Sequence, residues 1–185
     1  MRRVVLAFSA AAVVLATGSM SAAVQYPLSL TLDAVMKSGV TTISSKITVQ
    51  VDRAMDDSRR TRVSDALKFG GYQNFYNALR GVPSVGSIQT QNGKVDVRYT
   101  REDPDGTATR LVLVSDQPLF YLGADSSKKK VGFELTVVTL RIEPQGAVTG
   151  QLSGAARVRP APDGGVLLDT WAEELVELKG QVGKP

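Results

Sequence analysis

Residues 94–122 read KVDVRYTREDPDGTATRLVLVSDQPLFYL, and the class of the fold turns on them. Val95, Val97 and Tyr99 recur at every second position, which gives one arm a dry face. Leu111-Val112-Leu113-Val114 is apolar at successive positions, the pattern of a strand covered on both sides. Between the arms stands Asp103-Pro104-Asp105-Gly106, with proline and glycine in the second and fourth places of a type I turn. Asp116-Gln117-Pro118 then opens into the apolar run Leu119-Phe120-Tyr121-Leu122. The stretch predicts an antiparallel pair whose second arm is central in a sheet. Its acids also match the Asp-x-Asp-Gly of calcium loops, but no downstream acid completes that spacing, and turn chemistry accounts for them without a metal.

Outward from this pair the same period continues. Asn92-Gly93 is the strongest two-residue hairpin signal and predicts a short strand over 85–90 folding back on the first arm. Ile43, Ser45, Ile47, Val49 and Val51 alternate with polar residues, and Leu28, Leu30 and Leu32 do so before them. Lys37-Ser38-Gly39 is the expected connection of that first ribbon. On the C-terminal side, Phe133, Leu135 and Val137 fall on one parity and Val138, Leu140 and Ile142 on the other, which predicts a bulge or a change of packing environment. Val148, Gly150, Leu152, Gly154, Ala156 and Val158 form a face of small residues that a bulky group can approach. Residues 166–178 predict one last strand, with Val166, Leu168, Thr170, Ala172, Glu174, Val176 and Leu178 on one face.

The period changes once. Asp56 and Asp57 suit a helix N-terminus, and two short helices are expected over 58–68 and 72–80, separated by Gly70-Gly71 and stopped by Gly81 and Pro83. Helices this short are marginal alone and must pack on the sheet. The expected fold is therefore mainly β with a small α insertion: an antiparallel meander forming a barrel or a sandwich, with two short helices inserted after the second strand.

Arg2 and Arg3, an apolar core over 4–16 and the small residues Ser21-Ala22-Ala23 have the three-part form of a cleaved secretory signal. The apolar core is well short of the ~20 residues that span a bilayer. The expected organisation is a signal peptide over 1–23 and a single domain over 24–185, exported to the periplasm or beyond, with no membrane span after the signal is removed. The remaining 162 residues are enough for one core. They carry 20 basic against 18 acidic residues, a net +2 that gives no reason to expect a nucleic-acid partner. The sequence has no Cys and no His, so the fold stands without disulfides, and two common metal ligands and the usual general base near neutral pH are missing. No cofactor is expected.

Tyr72, Phe75 and Tyr76 form an aromatic stripe and, with Trp171, are candidate binding residues for a small apolar or aromatic ligand held between helices and sheet. The same spacing also suits a helix-to-sheet core. Glu174 falls on an apolar face, where it would either serve as a functional carboxylate or pair with an arginine such as Arg98 or Arg157. A carboxylate-dependent hydrolase needs a second carboxylate across a cleft, and spacing names none, so no catalytic residue is assigned. No glycine-rich phosphate loop or Gly-x-Ser-x-Gly elbow occurs. Arg59, Arg60 and Arg62, with Lys128, Lys129 and Lys130, read as solvated faces. The expected function is an exported, non-catalytic binding or accessory protein. The alternative is a protein–protein interaction subunit of an envelope complex that uses an exposed strand edge. A large enclosed apolar cavity favours the first, and a filled core with a bare sheet edge favours the second.

Three motifs, Leu79-Arg80-Gly81-Val82-Pro83-Ser84-Val85-Gly86, Asp96-Val97-Arg98-Tyr99 and Arg110-Leu111-Val112-Leu113-Val114-Ser115-Asp116-Gln117-Pro118, together resemble a family of small uncharacterised exported bacterial proteins over residues 45–178. The resemblance implies one exported domain. It implies no activity, and no functional residue carries over from it.

Overall fold

The computed structural model describes residues 24–38, 40–91, 93–119, 131–162, 166–171 and 175–183. The expected signal peptide, Phe120, Tyr121, Lys128 to Lys130 and Glu174 lie outside them. β1 (Leu28–Ser38) and β2 (Thr41–Val51) form the predicted ribbon, in continuous antiparallel register from Leu28 opposite Val51 to Ser38 opposite Thr41. Its alternation is obeyed: Leu30, Leu32, Ile47 and Val49 are fully buried.

One helix, α1 (Asp57–Arg80), stands where two were expected. The Asp56 side chain caps it by accepting the Arg59 backbone N–H at 2.9 Å. The predicted break falls at the right place but does not end the helix. Gly71 alone leaves helical geometry, with φ 69° and ψ −167°, a conformation that a Cβ disfavours, and the chain resumes its helix after the kink.

The strands that follow are β3 (Gly86–Thr90), β4 (Gly93–Val97), β5 (Tyr99–Asp105), β6 (Ala108–Ser115), β7 (Leu135–Ile142), β8 (Ala147–Pro160), β9 (Val166–Thr170) and β10 (Val176–Val182). Two turns sit differently from their sequence reading. Pro104 belongs to β5, opposite Thr109, and the turn is Gly106-Thr107, closed by Asp105 opposite Ala108. Gly93 opens β4 opposite Thr90, so it is a strand residue rather than part of the turn. Pro104 is tolerated because β5 ends the strand path, where a missing N–H need not cost a ladder bond.

The sheet runs β4-β3-β2-β1-β10-β8-β7-β6-β5, and its pairings are antiparallel. Its two terminal strands are halves of one run of chain, separated only by Arg98. The first half pairs with β3, and the Arg98 N–H then donates to the Val114 carbonyl of β6 at 2.9 Å. A single passage of chain is thereby shared by both edges, and the antiparallel sheet is a nearly closed, barrel-like one rather than a sandwich.

The barrel interior is packed with side chains from all around it, including Leu30, Leu32, Ile47, Ile88, Leu113, Leu140, Leu152 and Leu178. A second apolar cluster joins α1 to the sheet: Val63, Leu67, Phe75 and Leu79 meet Tyr99, Val114, Val137, Ala156 and Val158. This explains the two-sided apolar pattern of β6, whose Leu111 and Leu113 enter the interior while Val112 and Val114 join the helix cluster. β7 is two-sided for the same reason and alternates regularly. The expected bulge lies on its partner: Val137 opposes Ser153 but Leu135 opposes Ala156, so β8 carries one extra residue. Across that bulge the same parity of β8 passes from the interior, at Leu152, to the helix cluster, at Ala156. The bulky group that approaches the small face of β8 is the neighbouring strand, since a Cβ on Gly150 would lie 2.3 Å from the Thr139 carbonyl oxygen.

The last predicted strand is two strands. β9 and β10 lie along the same side of β8, but Thr170 opposes Ala156 whereas Val176 opposes Leu152, a slip of two residues between the two pairings. Among the described residues, no helix is long and apolar enough to cross a membrane.

Candidate functional site

The second half of α1 presents Tyr72, Tyr76 and Arg80 on one face, since residues four apart are neighbours on a helix surface. The two tyrosine rings are stacked, 6.1 Å between centroids at 17°. The Arg80 guanidinium lies 5.7 Å from the centre of the Tyr76 ring, and Arg157, from β8, lies 5.4 Å from that of Tyr72. Both distances are within the range where a cation is attracted to the face of a ring. Tyr72 and Tyr76 are half-buried, whereas Phe75 is in the helix-to-sheet core. The aromatic stripe is thus divided between surface and core.

Glu134 ties this face to the sheet. It accepts the Tyr72 hydroxyl at 2.5 Å and the Gly132 backbone N–H at 2.7 Å. Its neighbour Phe133 lies 6.0 Å from Trp171, the two rings tilted by 52°. Tyr72 and Trp171 are therefore connected through residues 133–134. Burial pushes the Glu134 carboxyl up, but the Tyr72 and Gly132 hydrogen bonds and the Arg157 charge hold it below the ordinary glutamate value. Burial first, and Glu134 second, raise the Tyr72 hydroxyl above the ordinary tyrosine value. Burial and Glu102, whose carboxylate accepts the Tyr26 hydroxyl at 2.5 Å, do the same for Tyr26. Glu134 is therefore ionised and Tyr72 neutral across the neutral range.

These shifts set two expectations. In a spectrophotometric titration Tyr26 and Tyr72 ionise at higher pH than a free tyrosine, and Tyr72→Phe removes one late-titrating group. A depressed carboxylate stabilises the fold above its unfolded pKa, and that contribution is lost as pH falls through the lower, folded value. The stability difference between the wild type and Glu134→Gln, measured by urea denaturation, is therefore full at neutral pH and shrinks below the ordinary carboxylate range.

The same face reaches the seam of the barrel. The Arg98 Nε donates to Asp116 Oδ1 at 2.7 Å, and its Nη1 donates to the Val82 carbonyl at 2.7 Å. Arg80 stands 4.0 Å from the other Asp116 oxygen, and the Tyr76 hydroxyl donates to the Asp116 carbonyl at 3.2 Å. Arg98 is thus paired with Asp116. Arg59 and Arg60 pair with Asp56 and Asp57 on the exposed first turn of α1. Asp103 and Asp105 are held by Arg101 and Arg141. Among the described residues no group of three or more potential metal ligands comes together.

β9 differs from every other strand. Among the described residues it pairs with β8 alone, off the main path of the sheet. Val166, Leu167 and Leu168 are 58%, 38% and 41% exposed, so both of its faces are open. Among the described residues, five of the eight exposed large apolar ones fall between Val166 and Leu175, Trp171 among them. Its one described ion pair, Asp169 with Arg159 at 2.9 Å, is made to β8. Sequence reasoning missed this strand because its apolar residues were absorbed into a longer alternation. The signal that marks it is the run Val166-Leu167-Leu168, which breaks that alternation directly after a turn.

No family model, curated protein or solved structure matches the chain.

Proposed function

We propose that this chain is an exported, non-catalytic binding protein that pairs an extended segment of a partner protein with the edge of β9 that has no described ladder partner. The observation that carries the reading is that β9 has one described ladder partner while Val166, Leu167 and Leu168, with Trp171 and Leu175 beside them, stay exposed. An apolar strand with a free edge is a template for pairing that proteins normally blunt or cover. A segment added there gains main-chain hydrogen bonds, and its alternate side chains meet the leucines of β9. The packed barrel interior favours this surface over an enclosed ligand. Export rests on the signal-like pattern of residues 1–23. A second reading, a small aromatic or apolar ligand, is favoured by the half-buried, stacked pair Tyr72 and Tyr76, which residues 133–134 link to Trp171.

Trp171 is the sole tryptophan and reports on both readings. In a titration with extended peptides of alternating apolar and polar residues, its emission is expected to shift, and Leu168→Asp is expected to weaken binding by more than about tenfold. Tyr72→Ala should leave peptide binding in place. The edge reading is overturned if no peptide binds or if Leu168→Asp binds as well as the wild type. If flat aromatic ligands bind instead and Tyr72→Ala abolishes that binding, the second reading takes its place.

A further inference from the structure

An open groove of about 410 Å³ lies on the sheet, spanning β6, β7, β8 and β10. It belongs to the face of β6 that also carries Val112, opposite the leucines of the barrel interior. The pairing places Arg110 directly opposite Arg141, Arg141 opposite Thr149, and Thr149 opposite Lys179, so three cations stand on one row across four strands. Like charges directly opposite one another repel unless each is neutralised. Arg141 is neutralised, by Asp105 at 3.0 Å and by Glu143. Arg110 is held less tightly: it pairs with Asp103 at 3.8 Å, and Arg101 holds that carboxylate more closely at 2.9 Å. Lys179 faces Asp33 across β1, but Asp33 bonds Lys46 instead, at 2.7 Å. The row is therefore least tightly neutralised at its two ends, Arg110 and Lys179.

The adjacent row supplies neutral and acidic groups in register, Thr139 opposite Gln151 and Gln151 opposite Glu177. A hydroxyl, an amide and a carboxylate in this order both donate to and accept from a polyol. Among the described residues no aromatic ring lines the groove, so they offer no stacking platform of the kind a neutral sugar favours. We infer that this groove binds an anionic saccharide. Its carboxylate or phosphate sits beside Lys179 and Thr149, and its hydroxyls meet Thr139, Gln151 and Glu177. The site is separate from β9 and does not depend on the reading of that edge.

The test follows amide chemical shifts of the intact domain during titration with glucuronate, glucose and inorganic phosphate. Glucuronate is expected to move the signals of residues 139, 149, 151 and 179, more weakly as salt rises. Glucose is expected to move none of them, and phosphate to bind less tightly than glucuronate. Lys179→Gln, an exposed substitution, should weaken glucuronate binding by about tenfold, as loss of one charge-assisted hydrogen bond predicts. The inference is overturned if glucuronate leaves these signals unmoved, if Lys179→Gln binds it equally well, or if phosphate alone binds as tightly.

Discussion

Arg98→Met is expected to destabilise the protein by about 3–5 kcal/mol in chemical denaturation, the usual cost of removing one partner from a buried ion pair. Asp116 is 7% exposed and Arg98 22%, so the carboxylate left behind has little water to turn to, and its other cation, Arg80, stands 4.0 Å away. The substitution also removes the donor to the Val82 carbonyl, in the segment that leads from α1 into β3. The exposed pair of Lys46 with Asp33 is the control: it is as short, at 2.7 Å, but both side chains are about two-thirds exposed. Lys46→Met is therefore expected to cost under about 1 kcal/mol. Equal losses at the two sites would remove the seam pair from any special place in the fold.

The second large effect is expected at Gly86→Ala, with a loss of about 3 kcal/mol, the upper range for overpacking. A Cβ there would lie 2.1 Å from the Gln50 carbonyl oxygen and 2.9 Å from the Val51 Cα, both backbone atoms that no rotamer change can move. Gly86 pairs with Val51 on one side and Val97 on the other, one residue before Arg98. The Ser84 hydroxyl, which donates to the Gly86 carbonyl at 2.7 Å, fixes the entry to this strand. The variant should show a lower urea midpoint. A midpoint equal to that of the wild type would show that β2 and β3 can separate at this point without loss.

Much of this architecture is legible in the residues. The first ribbon follows from uninterrupted alternation, because each of its strands has one dry and one wet face. The two-sided pattern of β6 correctly marks a strand with both faces covered, one by the interior and one by the helix. The helix was read as two because glycine pairs usually end helices, and nothing local states that packing of Val63, Leu67, Phe75 and Leu79 on one sheet outweighs a single non-helical residue. At the barrel seam Arg98 meets Asp116, eighteen residues away. No periodicity reports a pairing of that kind. The bulge was expected in the strand whose apolar parity changes, but the extra residue lies on its neighbour β8, because register is a property of the pair.

The candidate site was legible only in part. Tyr72 and Tyr76 are on an accessible face and Phe75 is in the core, a division that their spacing leaves open. Glu134 and Arg157 reach Tyr72 only through tertiary structure. β9 itself was hidden by a parity shared with β10, although the two strands meet different stretches of β8.

The most direct test of the edge reading is backbone amide hydrogen exchange of the domain with and without a bound extended peptide. The account predicts that the β9 amides, Val166 to Thr170, exchange faster in the free protein than those of β10, and that alternate β9 amides become protected when the peptide binds. Protection confined to α1 or to the groove over Thr149, with β9 unchanged, would contradict it.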